Sequence, residues 1–359
     1  MTEERERSPR NGTDPDIPNR RHYKCYAIGV AYSGEGYLGF QFQPGDTPTV
    51  EKDFQTALIT AGFIHSSMVS DERNRQLLYW SRAARTDKGV HACMNIISCR
   101  MDSLAIPHKQ EELDQEKFVE KLNTYLPSQI RALFINRVTM RFDSRINCDR
   151  RRYEYYIPKN IGDRTVEIDG LRQQFEKYKG THNFHNFTKG MKMDDKSAFR
   201  HIASVDVVEH DSDTVVVRLV GQSFLLNQIR KMVSLTLEVS LGLAPNDAIE
   251  HALTSRQLTH IHMVPGEGLL LDKLYYKAYD THKCGDCKVT TPFFWLISDE
   301  HEEGGDSFVL DQVDEFKKML VNEKILPGLK KLFDFWFNEV VIPNDWVLRH
   351  RPVENALDS

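Results

Sequence analysis

Between Tyr23 and Tyr32 the chain alternates, with Tyr26, Ile28, Val30 and Tyr32 on one side and small residues on the other, which predicts a β-strand. A turn through Gly34, Gly36 and Gly39 follows. Thr49 then stands where it can cap a helix whose apolar stripe is Val50, Phe54, Ala57, Leu58 and Ala61. Leu77 to Ala83 and His91 to Cys99 are predicted as two strands joined by a turn at Asp87. Phe118, Leu122 and Tyr125 mark a second helix that Pro127 stops, and Ile130 to Val138 is predicted as a strand. The next segment repeats this order. Arg151 to Ile157 is a predicted strand, Leu171, Phe175 and Tyr178 lie on a helix ended by Gly180, and strands follow at about His201 to Val208 and Thr214 to Val220. A helix over Ser223 to Ser240 and a strand over Gly268 to Tyr276 close the series.

Strand, helix, strand, strand, helix, strand, taken twice, predicts an α+β fold of two ferredoxin-like βαββαβ halves. Their antiparallel sheets are expected to join edge to edge into one large sheet, with a central cleft as the natural place for a site. The predicted division is an N-terminal tail over 1–22, a first half over 23–140, a second over 141–280 and a C-terminal extension over 281–359. In the extension, Phe316 to Val321 and Leu329 to Phe337 are expected to form amphipathic helices after loop-like segments, and no chemistry is assigned there.

Composition sharpens this picture in three places. No run of apolar residues is long enough to span a bilayer. The first 21 residues mix acids, arginines and prolines with no apolar core, so they predict a disordered tail rather than a secretory or mitochondrial signal. Six cysteines in 359 residues suit a reducing compartment. Cys284 and Cys287, with His282 nearby, lack a second pair at metal-ligand spacing, so no metal is expected; a metal-dependent enzyme using them is the more distant alternative. The net charge of -5 is unevenly spread, because Asp299 to Ser359 carries fourteen acids against seven Lys/Arg, a net -7 that leaves +2 for the rest. Arg141 to Arg152 alone holds five arginines and two aspartates, a local basic patch of the kind phosphate binding requires.

The segment Arg82-Ala83-Ala84-Arg85-Thr86-Asp87-Lys88-Gly89-Val90-His91-Ala92 sets one carboxylate among Arg82, Arg85, Lys88 and His91. Nearby positive charge favours an ionised aspartate and attracts a polyanion, while Asp-Lys-Gly is also ordinary turn chemistry. On the strand that follows, Arg151, Tyr153 and Tyr155 share one face, and Arg152, Glu154 and Tyr156 the other. An arginine beside an aromatic ring suits a nucleotide drawn out of a helix, although tyrosines also simply favour strands. On the helix from Ser223, a polar stripe of Ser223, Asn227, Arg230, Ser234 and Glu238 opposes an apolar one, and small side chains around Arg230 suggest a crowded face. A buried arginine there needs a carboxylate partner; an exposed one needs none.

These motifs carry a resemblance to the tRNA pseudouridine synthase A superfamily, more closely to its eukaryotic multisite tRNA/snRNA branch. The Arg82 to Ala92 segment is similar to the family's nucleophile loop. Ala31 to Gly34 with Tyr37 to Gln41, Phe142 to Arg145 with Arg151 to Tyr155, His182 to Thr188, Gly221 to Met232 and Pro265 to Leu269 resemble further family motifs in order, over Lys24 to Asp280. Two positions depart: Ser234 stands where a glycine is usual, and Asn227 where a histidine is frequent.

The resemblance implies that Asp87 is the catalytic aspartate, Tyr153 the pocket tyrosine and Arg230 the partner of Asp87 in a short, bidentate pair. It implies isomerisation of tRNA uridines to pseudouridine without a cofactor, with snRNA and mRNA as further substrates to be considered. Arg82, Arg85, Thr86, Lys88, Arg145, Arg151 and Arg152 are the expected RNA contacts. A monomer in the nucleus follows by analogy with the branch, with a mitochondrial or cytoplasmic pool as the alternative. A non-catalytic RNA-binding or RNA-chaperone protein on the same scaffold is the main rival.

Overall fold

The computed structural model describes residues 22–70, 77–110, 112–281 and 307–344. The predicted N-terminal tail up to residue 21 and the His282, Cys284 and Cys287 trio lie outside the described residues. Among the described residues, no group of three or more His, Cys, Asp or Glu side chains could hold a metal ion. No described helix is long and apolar enough to cross a membrane.

The fold is mixed α+β around one large, mostly antiparallel sheet. Its elements in order are β1 (Tyr23–Tyr32), α1 (Val50–Thr60), β2 (Ser81–Arg82), β3 (His91–Asp102), α2 (Gln115–Asn123), β4 (Ile130–Val138), β5 (Arg150–Pro158), α3 (Ile168–Glu176), β6 (Gly180–Asn183), β7 (Phe199–Glu209), β8 (Thr214–Gly221), α4 (Gln228–Ser240), α5 (Ala248–Thr254), β9 (Leu269–Tyr275), α6 (Ser307–Met319) and α7 (Leu326–Phe335). Nine strands form the sheet in the order β6-β7-β8-β5-β9-β3-β1-β4, with β2 also paired to β3.

The middle of the sheet fixes where chemistry can occur. β2 pairs antiparallel with the far end of β3 (Ser81 with Ser98, Arg82 with Ile97), while β9 pairs parallel with its near end (Leu270 with His91, Leu271 with Ala92). The loop from 83 to 90 therefore lies where the sequence-earlier and sequence-later strands meet.

Local sequence explains most elements. Thr49 caps α1 by accepting from the Lys52 N–H, and the helix buries Phe54, Ala57 and Leu58. Asp114 caps α2 through the Lys117 N–H, and Phe118 of that helix stacks on Phe63 with centroids 4.4 Å apart. Gly29 in β1 is required by packing, because a Cβ there would lie 2.2 Å from the Phe134 ring.

Ahead of the C-terminal helices, the predicted elements depart from the structure most at two places. Only Ser81–Arg82 of the expected 77–83 strand pairs as strand, since Leu77 and Leu78 form a helical turn and Tyr79 has a left-handed φ of 52°. α4 begins at Gln228 rather than Ser223. Asn227 takes a left-handed conformation at φ 63°, and the Gln228 side chain accepts from the Leu225 N–H at 2.7 Å, so 223–227 is a loop.

At the C-terminus α6, a π-helical turn over Leu320–Ile325, α7 and a second π-helical turn over Trp336–Val341 run on almost without break. Pro327 has no N–H to donate, which interrupts the regular ladder near the start of α7. Val309, Leu320, Ile325, Leu329, Phe333 and Trp336 bury the apolar side. Lys317 reaches Glu154 of β5 at 2.9 Å and Asp272 of β9 at 2.6 Å.

Candidate active site

The loop carrying Asp87 is held by several hydrogen bonds. Ala84 N–H donates to the Asn95 side-chain oxygen at 3.1 Å, and Asn95 Nδ2 donates back to the Ala84 carbonyl at 2.9 Å. Phe40 N–H donates to the Thr86 carbonyl at 3.0 Å, and the Tyr32 and Thr86 hydroxyls lie 2.8 Å apart. Two glycines let other chain segments approach it. A Cβ on Gly34 would fall 2.3 Å from the Val90 carbonyl oxygen, and one on Gly266 would fall 2.6 Å from that of Lys88. Thr86, expected as an RNA contact, is thus a buried anchor of the loop that also lines the cleft.

A cleft of about 780 Å³ opens over this loop. Asp87, Tyr153 and Arg230, from three separate stretches of sequence, all line it. Tyr153 is buried and its ring meets Phe224 edge-on at 5.3 Å. Burial pushes its phenol well up, with Arg151 opposing and the Asp87 charge adding to the rise.

Asp87 departs from expectation in two ways. The short bidentate pair with Arg230 is absent: no N···O approach within 4.0 Å occurs between them, and Arg230 Nε instead donates to the Val264 carbonyl at 2.8 Å. Arg230 acts on Asp87 through space, and the nearby Asn227 backbone at the start of α4 also lowers the carboxyl. Burial nevertheless outweighs both, so the carboxyl lies above its ordinary range rather than below it. The desolvation produced by the cleft walls is what a charge count along the sequence leaves out.

The basic residues divide into groups with different tasks. Arg85, Lys88 and Arg145 are exposed and line the cleft. Arg82 also lines it, but its guanidinium pairs with Glu51 at 2.9 Å, a buried acid in the first turn of α1 that also accepts from the Trp80 indole and the Phe42 N–H. Arg151 is buried and donates only to carbonyl oxygens. Arg152 is not at the cleft; on the opposite face of β5 it pairs with Asp272. That correction follows from strand alternation, which sets Arg152 against Tyr153. His91, placed among the potential cations by sequence, is buried, pushed down to about 4 by desolvation, and accepts from the Gly34 N–H at 3.2 Å.

Sequence reasoning missed Arg200, at the start of β7, which also lines the cleft. Its charge and that of Arg145 repel, as do those of Arg82, Arg85 and Arg145. Among the described residues Arg85, Arg145 and Arg200 have no carboxylate within 4.0 Å. Asp195 acts on Arg200 from beyond that distance, and cations crowded in excess of nearby acids favour an anionic ligand with spaced charges. Nothing in the local sequence marks Arg200, because its place at the cleft depends on how β7 joins the sheet. The motif His182 to Thr188 lies away from the cleft. Lys231 ties it to α4 through the Asn186 and Thr188 carbonyls at 3.1 and 3.0 Å.

The family model described as tRNA pseudouridine synthase matches residues 175–277. The Mus musculus pseudouridylate synthase 1 homolog is 33% identical over 364 residues, spanning 96% of this chain and 80% of that protein. The Homo sapiens homolog is 33% identical over 77% of this chain and 64% of its own length. The Saccharomyces cerevisiae tRNA pseudouridine(27/28) synthase is 28% identical over 70% of this chain and 84% of its own. A crystal structure of a Cbf5-Nop10-Gar1 complex aligns at 12% identity over 80% of this chain and 62% of that one, but at a TM-score of 0.30 it carries no structural inference. Identity of one third along almost the whole chain and most of the mouse protein is decisive: the chain belongs to the tRNA pseudouridine synthase family.

Proposed function

We propose that this protein isomerises uridines of tRNA to pseudouridine, with Asp87 as its catalytic carboxylate. The observation that carries the proposal is the convergence of Asp87, Tyr153 and Arg230 on one cleft whose lining includes Arg85, Arg145 and Arg200, none with a carboxylate within 4.0 Å among the described residues. The reaction breaks the bond from ribose C1′ to N1 of uracil, turns the base and joins C1′ to C5; C5 then loses a proton and N1 gains one. No atom or redox equivalent is supplied from outside, so no cofactor is required.

Asp87 as an anion acts on the ribose, as nucleophile at C1′ or base at C2′. The field of Arg230 and the nearby Asn227 backbone support that anion against the cost of burial. Tyr153 stacks on the detached uracil and lies near enough to Asp87 to share its field. Extruding the target nucleotide costs a few kcal/mol, which contacts from Arg85, Arg145 and Arg200 to the RNA backbone offset.

The same proposal treats residues 23–140 and 141–280 as two ferredoxin-like halves, supported by the matching strand orders β2-β3-β1-β4 and β7-β8-β5-β9. Residues 1–22 and 281–359 are then extensions. snRNA and mRNA as further substrates, a monomeric state and residence in the nucleus belong to the proposal by analogy with the eukaryotic branch. Incubating the protein with unmodified tRNA transcripts and mapping pseudouridine chemically tests it. Pseudouridine at defined positions with the parent protein and none with Asp87→Asn is the expected result; tight binding without any modified base would instead favour an RNA-binding protein.

A further inference from the structure

Arg151 is 8% exposed, and its side chain donates to three carbonyls on three separate segments. Nε and Nη2 reach the Ala83 oxygen at 3.0 and 2.8 Å, Nη2 also reaches that of Arg145 at 3.2 Å, and Nη1 reaches that of Gln222 at 2.5 Å. Ala83 leads into the Asp87 loop, Arg145 lines the cleft with no carboxylate within 4.0 Å among the described residues, and Gln222 begins the loop that ends at Asn227, whose backbone helps to lower the Asp87 carboxyl. Two residues along the same face of β5 stands Tyr153.

A buried guanidinium ordinarily takes a carboxylate partner, because isolated charge is expensive away from water. Arg151 has none within 4.0 Å among the described residues. Neutral carbonyls fix its plane and leave its charge uncancelled beside Tyr153 and the Asp87 loop.

We propose that Arg151 is a positioning residue for the isomerisation: its planar fork joins the Asp87 loop, the Arg145 segment and the Asn227 loop to the strand bearing Tyr153, and so sets the distance between carboxylate and ring. This rests on the isomerase reading and replaces the phosphate contact expected of Arg151 from sequence. Its donors already face carbonyls, so a phosphate would have to displace them. A lysine keeps the charge but presents one nitrogen without the fork, and cannot satisfy three carbonyls in this arrangement.

The test compares the parent with Arg151→Lys and Arg151→Ala under single turnover with excess enzyme, following tritium release from C5-labelled uridine in tRNA, with tRNA affinity and melting temperature measured alongside. For Arg151→Lys the expected result is a rate lower by about 100-fold, the scale for a 1 Å misplacement of reacting groups, at tRNA affinity within about threefold of the parent. Added guanidinium ion is expected to restore part of the rate in Arg151→Ala. A folded Arg151→Lys with parental rate overturns the proposal. So does a loss that falls wholly in affinity with a shallower salt dependence, which is the signature of a phosphate ligand, or a failure of both variants to fold, which leaves only a structural role. An inactive parent removes the isomerase reading itself, whereas an active parent with a fully active folded variant removes only the role of Arg151.

Discussion

Lys317 of α6 joins the C-terminal helices to the strands behind the cleft, and replacing it with methionine tests whether that junction holds the sheet. Its ammonium lies 2.9 Å from Glu154 and 2.6 Å from Asp272, both almost wholly buried. Breaking a buried ion pair by removing one partner costs about 3–5 kcal/mol, because the remaining charge is stranded. Here Arg218 still reaches Glu154 at 2.9 Å and Arg152 still pairs with Asp272, which places the expected loss near the lower end, about 3 kcal/mol. At roughly 2–4 °C per kcal/mol, Lys317→Met should melt about 6–12 °C below the parent.

The pH dependence carries a sign. Burial alone would raise Asp272, but Lys317 and Arg152 together hold its carboxyl below the ordinary range. A depressed carboxylate contributes stability above its unfolded value, about 3.9, and that contribution is lost as the pH falls through the folded value. The gap between parent and variant should therefore narrow in acid, and the melting point of the parent should itself fall there as Asp272 takes up a proton. Thermal scans at several pH values measure both. A melting point within 2 °C of the parent at neutral pH would refute the reasoning.

Three further outcomes follow from the cleft. Arg200→Ala should weaken tRNA binding and make the slope of log affinity against log salt shallower by about 0.7–0.9, the change for one lost phosphate contact; filter binding at four salt concentrations reads it, and an unchanged slope removes Arg200 from the interface. Because burial raises Asp87, single-turnover activity should fall with acid through a midpoint above the ordinary carboxylate range, and Arg230→Gln should shift that limb to higher pH, since Arg230 is the charge that lowers it. A limb that stays in place in the variant would contradict the through-space coupling. Gly266→Ala, whose Cβ would lie 2.6 Å from the Lys88 carbonyl, must push the Asp87 loop aside and should cost tenfold or more in rate at near-parental tRNA affinity; a parental rate would show the loop to be tolerant.

Regular patterns were legible in the sequence and irregular joins were not. β1 and β4 begin and end where the alternation of apolar residues says they should, because strands buried in a sheet must present side chains to its two faces in turn. The helical spacing of the polar stripe runs back to Ser223, whereas the backbone turns at Asn227 and Gln228 supplies the hydrogen bond, so α4 starts later than that spacing predicts. The site shows the same division. Asp87, Tyr153 and Arg230 stand out through motif order, and the cleft brings them together. The state of Asp87 did not, since desolvation depends on walls contributed by distant segments. Glu51, on a helix described from sequence only by its apolar stripe, proves to be a buried anchor for Arg82. Arg152 could have been excluded from the cleft by the alternation that admitted Tyr153.

The most direct measurement is pseudouridine formation by Asp87→Asn beside the parent protein, on tRNA transcripts under single turnover with binding followed in parallel. Catalysis through the Asp87 carboxylate predicts modified uridines with the parent and none with the variant, while the variant still binds tRNA. Pseudouridine formed by Asp87→Asn at a rate near that of the parent would contradict it.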